Sequence, residues 1–409
     1  MMAPRTAVGP GEVHVAAGYS RDPSTVANTQ VPELHLLTGE YPPMPGGVSD
    51  YCAQLAAGLA AEGASVHVWA PATDGAAPSI DRVTVHRLEG GWCRRSLMAM
   101  TASLARFPRP RRLVVQYVPH AWGRRGLNLE FCRWLRDRSR HGDDISLMVH
   151  EPFYPWRLRD KPTRWLLALG QRWMIKQALD ASERVYVAIP AWERYLRPYD
   201  RKRPMTWLPV PSNVPFVDAK GRVSELRARL AKNGELIVGT FSTYGPLIAR
   251  LVREALPPLL QGPPDRVGLL LGRGAARMAA EIAAHHPSLG PRLVAPGGLD
   301  AESLSLHLQA CTILVQPYPD GVTSRRGTIM APLSHGAPIV TNTGFLSEGT
   351  WSETGCVALA SGPEPREIAA LAEGLLVDPD ARAELGRVAR RVYDARFSVK
   401  HTVRRLLES

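Results

Sequence analysis

No run of about 18 uninterrupted apolar residues occurs in the 409-residue chain, so no helix is expected to span a bilayer. Cysteine is scarce: Cys52, Cys93, Cys132, Cys311 and Cys356 are odd in number, widely spaced and never form a C-x-x-C pair. That excludes a disulfide framework and a zinc cluster, and a reducing cytoplasm is the simplest compartment. Residues Met1–Gln30 lack an apolar h-region and are rich in Gly, Pro, Ser and Thr. They read as a flexible leader over residues 1–30, not as a signal peptide. His150-Glu151 is not H-E-x-x-H, and His285-His286 has no partner cysteines, so no metal site is expected. Asp378-Pro-Asp380 matches a metal-binding D-x-D only by letter; it suits an N-cap with Pro at the first helical position.

What is present is ordinary in bulk, 45% apolar and 22% charged, as in a packed globular chain. The formal charge of +12 is unevenly placed. Residues 81–203 hold 26 Lys and Arg against 12 Asp and Glu, while the remainder is nearly neutral. Eight of the ten tryptophans fall between Trp92 and Trp207. Such a surface attracts an anionic acceptor or an anionic membrane. Trp165, Leu169 and Trp173, with Arg164, Arg172 and Lys176 on the flanks, suit an interfacial helix, but an ordinary core-facing helix gives the same pattern.

Short β-rich runs alternate with helix-length segments along nearly the whole chain, in two series of six. The first runs from Glu33–Thr38 to Arg184–Ile189 and the second from Leu236–Phe241 to Val357–Leu359. Several are apolar on both faces, as parallel strands covered by helices are. Twelve strands exceed a usual single sheet, so the α/β chain is expected to form two Rossmann-like, doubly wound domains facing across a cleft. The break falls in Leu208–Pro215, where three prolines in eight residues prevent a helix. Expected boundaries are 31–212 for an N-terminal domain and 213–377 for a C-terminal domain. Helices over 378–409 then pack back on the first domain.

Ligands of such sheets sit at the carboxyl ends of the strands. There, Gly46 and Gly47 open a helix and offer backbone N–H groups to an anion, or else form a turn that needs positive φ. His150 ends the fifth strand, where an imidazole suits acid/base or positioning work, or simply a hydrogen-bonded core role. Glu151 beside it places a carboxylate at the same strand end. The loop Asp320-Gly-Val-Thr-Ser-Arg-Arg-Gly-Thr328 combines hydroxyls, glycines, a helix start and two guanidiniums. Asp320, Ser324, Arg325, Arg326, Gly327 and Thr328 thus make a diphosphate cradle.

From Leu36 to Pro71 the order of strand, Tyr-Pro-Pro, Gly-Gly-Val and helix resembles the opening of family 4 glycosyltransferases with the GT-B fold. Further segments are similar to the same family: His150-Glu151, Pro209–Pro215 as linker, Val238-Gly-Thr-Phe-Ser242, His335-Gly-Ala-Pro-Ile-Val340, and Asp378 through Phe397-Ser398. The resemblance implies that residues 31–212 form the acceptor domain and residues 213–377 the nucleotide-sugar domain, that the paired glycines and His150 lie near the donor, that Glu151 holds the acceptor or steadies an oxocarbenium-like centre, and that Thr240, Ser242 and Thr243 line a phosphate loop. Arg273, in Gly272-Arg-Gly-Ala-Ala-Arg277, is within reach of the nucleotide. Two departures mark a variant branch. The family's two glutamates before the H-G-x-P segment are replaced by Thr323 and Ala331, and Ser242–Pro246 carries no basic pair. Arg325 and Arg326 stand in for those charges.

The expected activity is transfer of a hexosyl group from a nucleotide-diphosphate sugar, with retention and without metal or cofactor. The acceptor is a sugar, a lipid-linked glycan or a small natural product. The protein is expected in the cytoplasm, peripherally at the inner membrane face, with no nucleic acid partner. Two alternatives stand beside it: a non-catalytic GT-B-derived binding protein, and a dinucleotide-dependent oxidoreductase, against which the incomplete G-x-G-x-x-G fingerprint weighs.

Overall fold

Leucine- and valine-rich runs with both faces apolar must be covered from both sides, and helices between successive strands supply that cover. The computed structural model describes residues 32–155, 161–263 and 265–408, so the expected leader lies outside the described residues. The first sheet comprises β1 (Glu33–Thr38), β2 (Ser65–Pro71), β3 (Val83–Leu88), β4 (Arg112–Tyr117), β5 (Asp144–Val149), β6 (Arg184–Val187) and β7 (Met205–Trp207). Their order is β3-β2-β1-β4-β5-β6-β7, all parallel. The second sheet comprises β8 (Leu236–Phe241), β9 (Arg266–Leu271), β10 (Leu293–Val294), β11 (Ile313–Gln316), β12 (Ile339–Asn342) and β13 (Ala358–Ala360). Its order is β10-β9-β8-β11-β12-β13, again all parallel. Both sheets are doubly wound, with the strand order reversing between β1 and β4 and between β8 and β11.

The described residues thus hold thirteen strands where twelve were expected. The addition is β7, whose three residues are too few to show a period and lead directly into the proline-rich segment. Leu208–Pro215 forms neither helix nor strand. It is tied to the second half by Val210 N–H donating to Ser324 O (3.1 Å) and Ser212 N–H to the Tyr393 hydroxyl (3.0 Å).

After the helix Pro379–Val392 the chain crosses between the two cores. Phe397 stacks on Trp351 at 5.5 Å among second-half residues. Two turns later Val403 and Leu406, on the helix Val399–Leu407, are buried in the first-half core. Gly58, on the helix Gly47–Ala61, admits this contact: a Cβ there would lie 2.8 Å from Val403 Cγ2. Among the described residues, no helix is long and apolar enough to cross a membrane.

Candidate active site

At the β1/β4 reversal, the loops after the two strands touch so closely that a Cβ on Gly39 would lie 2.4 Å from Ala121 Cβ. Beyond Gly39 the chain turns into the helix Gly47–Ala61. Gly46 is extended (φ 174°), and Gly47 is not among the residues with positive φ, so the turn explanation for this pair falls. What the glycines provide is space. A Cβ on Gly46 would meet Glu40 Oε2 at 2.2 Å, and one on Gly47 would meet nothing within 4 Å. Burial raises the Glu40 carboxyl above the usual carboxylate range, against the opposing pull of His120.

His150 stands one residue past β5 and is buried. Its Nε2 donates to Gln116 Oε1 (2.8 Å), which leaves Nδ1 as the acceptor nitrogen. Trp192 Nε1 donates to the His150 carbonyl (2.8 Å), and the Tyr51 ring meets the imidazole edge-on at 5.0 Å. Desolvation lowers its pKa to about 4, so the ring is neutral at physiological pH. It can orient a hydroxyl but carries no charge to a phosphate.

The cationic groups come from the loop between β11 and the helix Gly327–Ser334. Arg325 bridges the two halves: Nη1 donates to Glu151 Oε1 and Nη2 to Asp320 Oδ2, both at 3.1 Å. Its guanidinium lies over the Trp192 ring (5.4 Å to the centroid), and that of Arg326 over Tyr318 (4.6 Å). Arg326 also pairs with Asp320. Burial, then the neighbouring Arg326, lowers the Arg325 pKa below its ordinary value. The Nε atoms of both arginines are buried without a hydrogen-bond partner.

Two cavities meet at this arginine. One, of about 320 Å³, has Gly46, Gly47 and His150 on one wall and Asn213, Gly327 and Arg325 on the other. The second, of about 680 Å³, is walled by Trp192, Tyr195, Leu247, Phe345, Asp320 and Arg326. Glu151 and Arg325 belong to both. Volumes of this order suit small-molecule ligands.

Residues 45–209 match the family model described as Glycosyltransferase Family 4. Similar solved structures cover almost the whole chain. A sucrose-phosphate synthase from Thermosynechococcus elongatus is 19% identical, aligned over 92% of this chain and 98% of its own, with a TM-score of 0.65. HepE of Anabaena, solved with UDP-glucose, is 16% identical over 92% and 98%, with a TM-score of 0.64. WaaG, a glycosyltransferase involved in lipopolysaccharide biosynthesis, is 13% identical over 92% and 100%, with a TM-score of 0.63. The chain has the GT-B fold and resembles family 4. No curated protein matches it in sequence.

Within this GT-B frame the expected site residues divide. Gly46, Gly47, His150, Glu151, Arg325 and Gly327 converge on the first cavity, and Glu151, Asp320, Arg325 and Arg326 on the second. The hydroxyls do not follow. Ser324 is fully buried, its hydroxyl 2.5 Å from Glu348 Oε1 and 3.1 Å from Ala188 O. Thr240 is buried against Gln316, and Ser242 Oγ accepts from Tyr244 N–H (3.1 Å). The Thr328 hydroxyl pairs with that of Tyr318 (2.9 Å). Thr243 and Arg273 are exposed and line neither cavity.

Sequence reasoning missed Glu40, Tyr51, His120, Asn213 and Trp192 in the walls, and Glu348 behind them. Glu40 was legible, since it follows β1 directly in the glycine loop. Glu348 was not: it accepts from Ser324 N–H (2.8 Å) across 24 residues of chain, and from the nearby Trp351 Nε1 (2.6 Å). It supplies a buried carboxylate behind a loop whose family glutamate positions hold Thr323 and Ala331.

Proposed function

We propose that this protein is a glycosyltransferase that moves a hexosyl group from a nucleotide-diphosphate sugar to an acceptor hydroxyl with retention of configuration. The observation that carries the reading is Arg325, which stands in the wall of both cavities and is held from both halves of the GT-B fold. In the first cavity its guanidinium and the N–H groups at Gly327 face the amides of Gly46 and Gly47. Together they favour charge that grows on a departing diphosphate. His150, neutral and anchored by Gln116, orients a sugar hydroxyl. As the anomeric carbon–oxygen bond breaks, the diphosphate leaves with the electron pair, the acceptor oxygen takes its place on the same face, and the acceptor hydroxyl proton passes to the departing diphosphate.

A thermal-shift and hydrolysis screen of nucleotide sugars, beginning with UDP-glucose because HepE was solved with it, tests the reading. Binding of one donor, weakened tenfold or more in Arg325→Met, is the expected result, since a lost charge-assisted hydrogen bond costs about 1.5–3 kcal/mol. A chain that binds no nucleotide sugar is not this enzyme. Retention and metal independence follow the family resemblance. Proton NMR of the product anomer checks the first, and turnover in excess EDTA the second.

Peripheral attachment to an anionic cytoplasmic membrane face accompanies this reading. Its support is the helix Pro162–Ala181, where Leu166, Leu169 and Trp173 are exposed on one face with Lys176 beside them. Flotation with phosphatidylserine vesicles, lost in Leu166→Ser/Trp173→Ser, is expected; no flotation of the wild type removes the membrane from the reading.

A further inference from the structure

Two carboxylates line the smaller cavity, and they are held differently. Glu151 is taken by Arg325, whereas among the described residues the Glu40 side chain makes no hydrogen bond and no ion pair. Its backbone is pinned instead: the Thr38 hydroxyl donates to Glu40 O (2.8 Å) and accepts from Glu40 N–H (3.3 Å). A half-buried carboxylate left unpaired on a cavity wall is costly until a ligand supplies the donor. Two side chains act on it through their charge. One is His120, exposed and without a hydrogen bond among the described residues. The other is Asp50, whose Oδ2 accepts from Asn213 Nδ2 (2.8 Å). Pro45, Val48 and Val118 add apolar surface to the same cavity. Among the described residues its walls hold one guanidinium, Arg325, and no lysine. The basic surplus of residues 81–203 therefore does not select what enters here.

We propose that Glu40 is an acceptor-binding residue, and that the end of the acceptor entering this cavity is an uncharged polyhydroxylated ring without a phosphate. The proposal deepens the glycosyltransferase reading and rests on it. One ring hydroxyl donates to the Glu40 carboxylate, a charge-assisted bond, and a second pairs with His120. The C–H face of the ring lies on the apolar surface of Pro45 and Val48. A phosphate ester at this end would face Glu40 and Asp50, while Arg325 is engaged by the donor diphosphate. Such like-charge contact discriminates against the anionic acceptor.

Saturation-transfer NMR on the full chain with UDP present is the test, using the methyl α-glycosides of glucose, galactose and mannose, each against its 6-phosphate. At least one neutral glycoside is expected to bind, about tenfold or more tighter than its phosphate. The isosteric Glu40→Gln should raise the glycoside Kd about tenfold and narrow the preference over the phosphate, with UDP affinity unchanged within about twofold. Three outcomes overturn the assignment: no neutral glycoside binds, the phosphate binds as tightly, or Glu40→Gln binds the glycoside as the wild type does. A Glu40→Gln chain that also loses UDP places Glu40 on the donor side and overturns it too. Failure of the wild type to bind UDP defeats the transferase reading itself, whereas UDP binding with any of the three outcomes defeats only the acceptor assignment.

Discussion

Acid should weaken the first half of this protein by an amount set by His35, His86 and His150, which the fold holds neutral. His35 on β1, His67 on β2 and His86 on β3 stand side by side across adjacent strands. His67 Nδ1 and His86 Nε2 are 3.1 Å apart, and Trp69 Nε1 donates to His35 Nδ1 at 3.3 Å. Trp69 also stacks on His86 at 4.0 Å. Burial, then the charge of His67, His86 and Arg111, lowers His35 to about 3. Burial, then His67, lowers His86 to about 4. His150, just past the end of β5, is lowered to about 4 by burial alone. The charged groups facing the cluster are Arg111 and Glu33, whose Oε1 lies 3.3 Å from His67 Nε2.

In the unfolded chain each of these histidines titrates near 6.5. The unfolded state therefore binds more protons than the folded state between about pH 6.5 and pH 4, and stability falls as pH falls through that window. At pH 5 each group costs about 2 kcal/mol relative to pH 7.5, so the three set an upper bound of about 6 kcal/mol. Urea unfolding followed by tryptophan fluorescence reads this half, because nine of the ten tryptophans precede Leu208. His35→Gln/His86→Gln keeps an acceptor for Trp69 and should remove about two-thirds of the pH-dependent loss. A wild type that loses less than about 1 kcal/mol between these pH values refutes the reasoning. So does a double variant that loses as much as the wild type.

Four further outcomes follow from the geometry. Gly47→Ala should leave the melting temperature unchanged but weaken nucleotide-sugar binding, because its Cβ meets no protein atom within 4 Å and projects where the ligand lies. Gly39→Ala should destabilise by about 2 kcal/mol or more, because its Cβ meets Ala121 backbone and side chain at 2.4–2.8 Å. Calorimetry with and without UDP reads both. Glu348→Gln presents an amide N–H₂ to donors that the carboxylate accepted, so it should cost about 2 kcal/mol. It should also weaken UDP binding from behind the arginine loop, and a change in stability without a change in affinity would refute that link. Glu373→Ala strips the counter-charge from Arg266, which is fully buried and otherwise held by the carbonyls of Leu259 and Pro263. A loss of about 3 kcal/mol in the second half is expected by chemical denaturation.

The strands were legible because runs such as Leu236–Phe241 and Val267–Leu271 are apolar beyond any helical period, and β7 escaped because three residues have no period. The loops were legible because glycine pairs and an arginine pair at strand ends have few other uses. Hydroxyl roles were not. Ser324, Thr240, Ser242 and Thr328 are polar residues in the right loops, but each finds its partner inside the fold, and a sequence names a hydroxyl without naming what it bonds.

The arginine pair also needed a tertiary answer. Two guanidiniums at the N-terminal end of the helix Gly327–Ser334 oppose its dipole and one another. In isolation that start would repel them into solvent, yet both side chains are only 19% exposed. Asp320 pairs with both, Glu151 reaches Arg325 from the other half, and the rings of Trp192 and Tyr318 cover their faces. With that support the cost of gathering two cations is met in folding, before any anion arrives. An anion entering the cavity meets cations already oriented, and it competes with the carboxylates for the same guanidinium edges. Charge placed this way is weaker for binding than a bare pair would be, and better positioned for chemistry in which negative charge grows during the reaction.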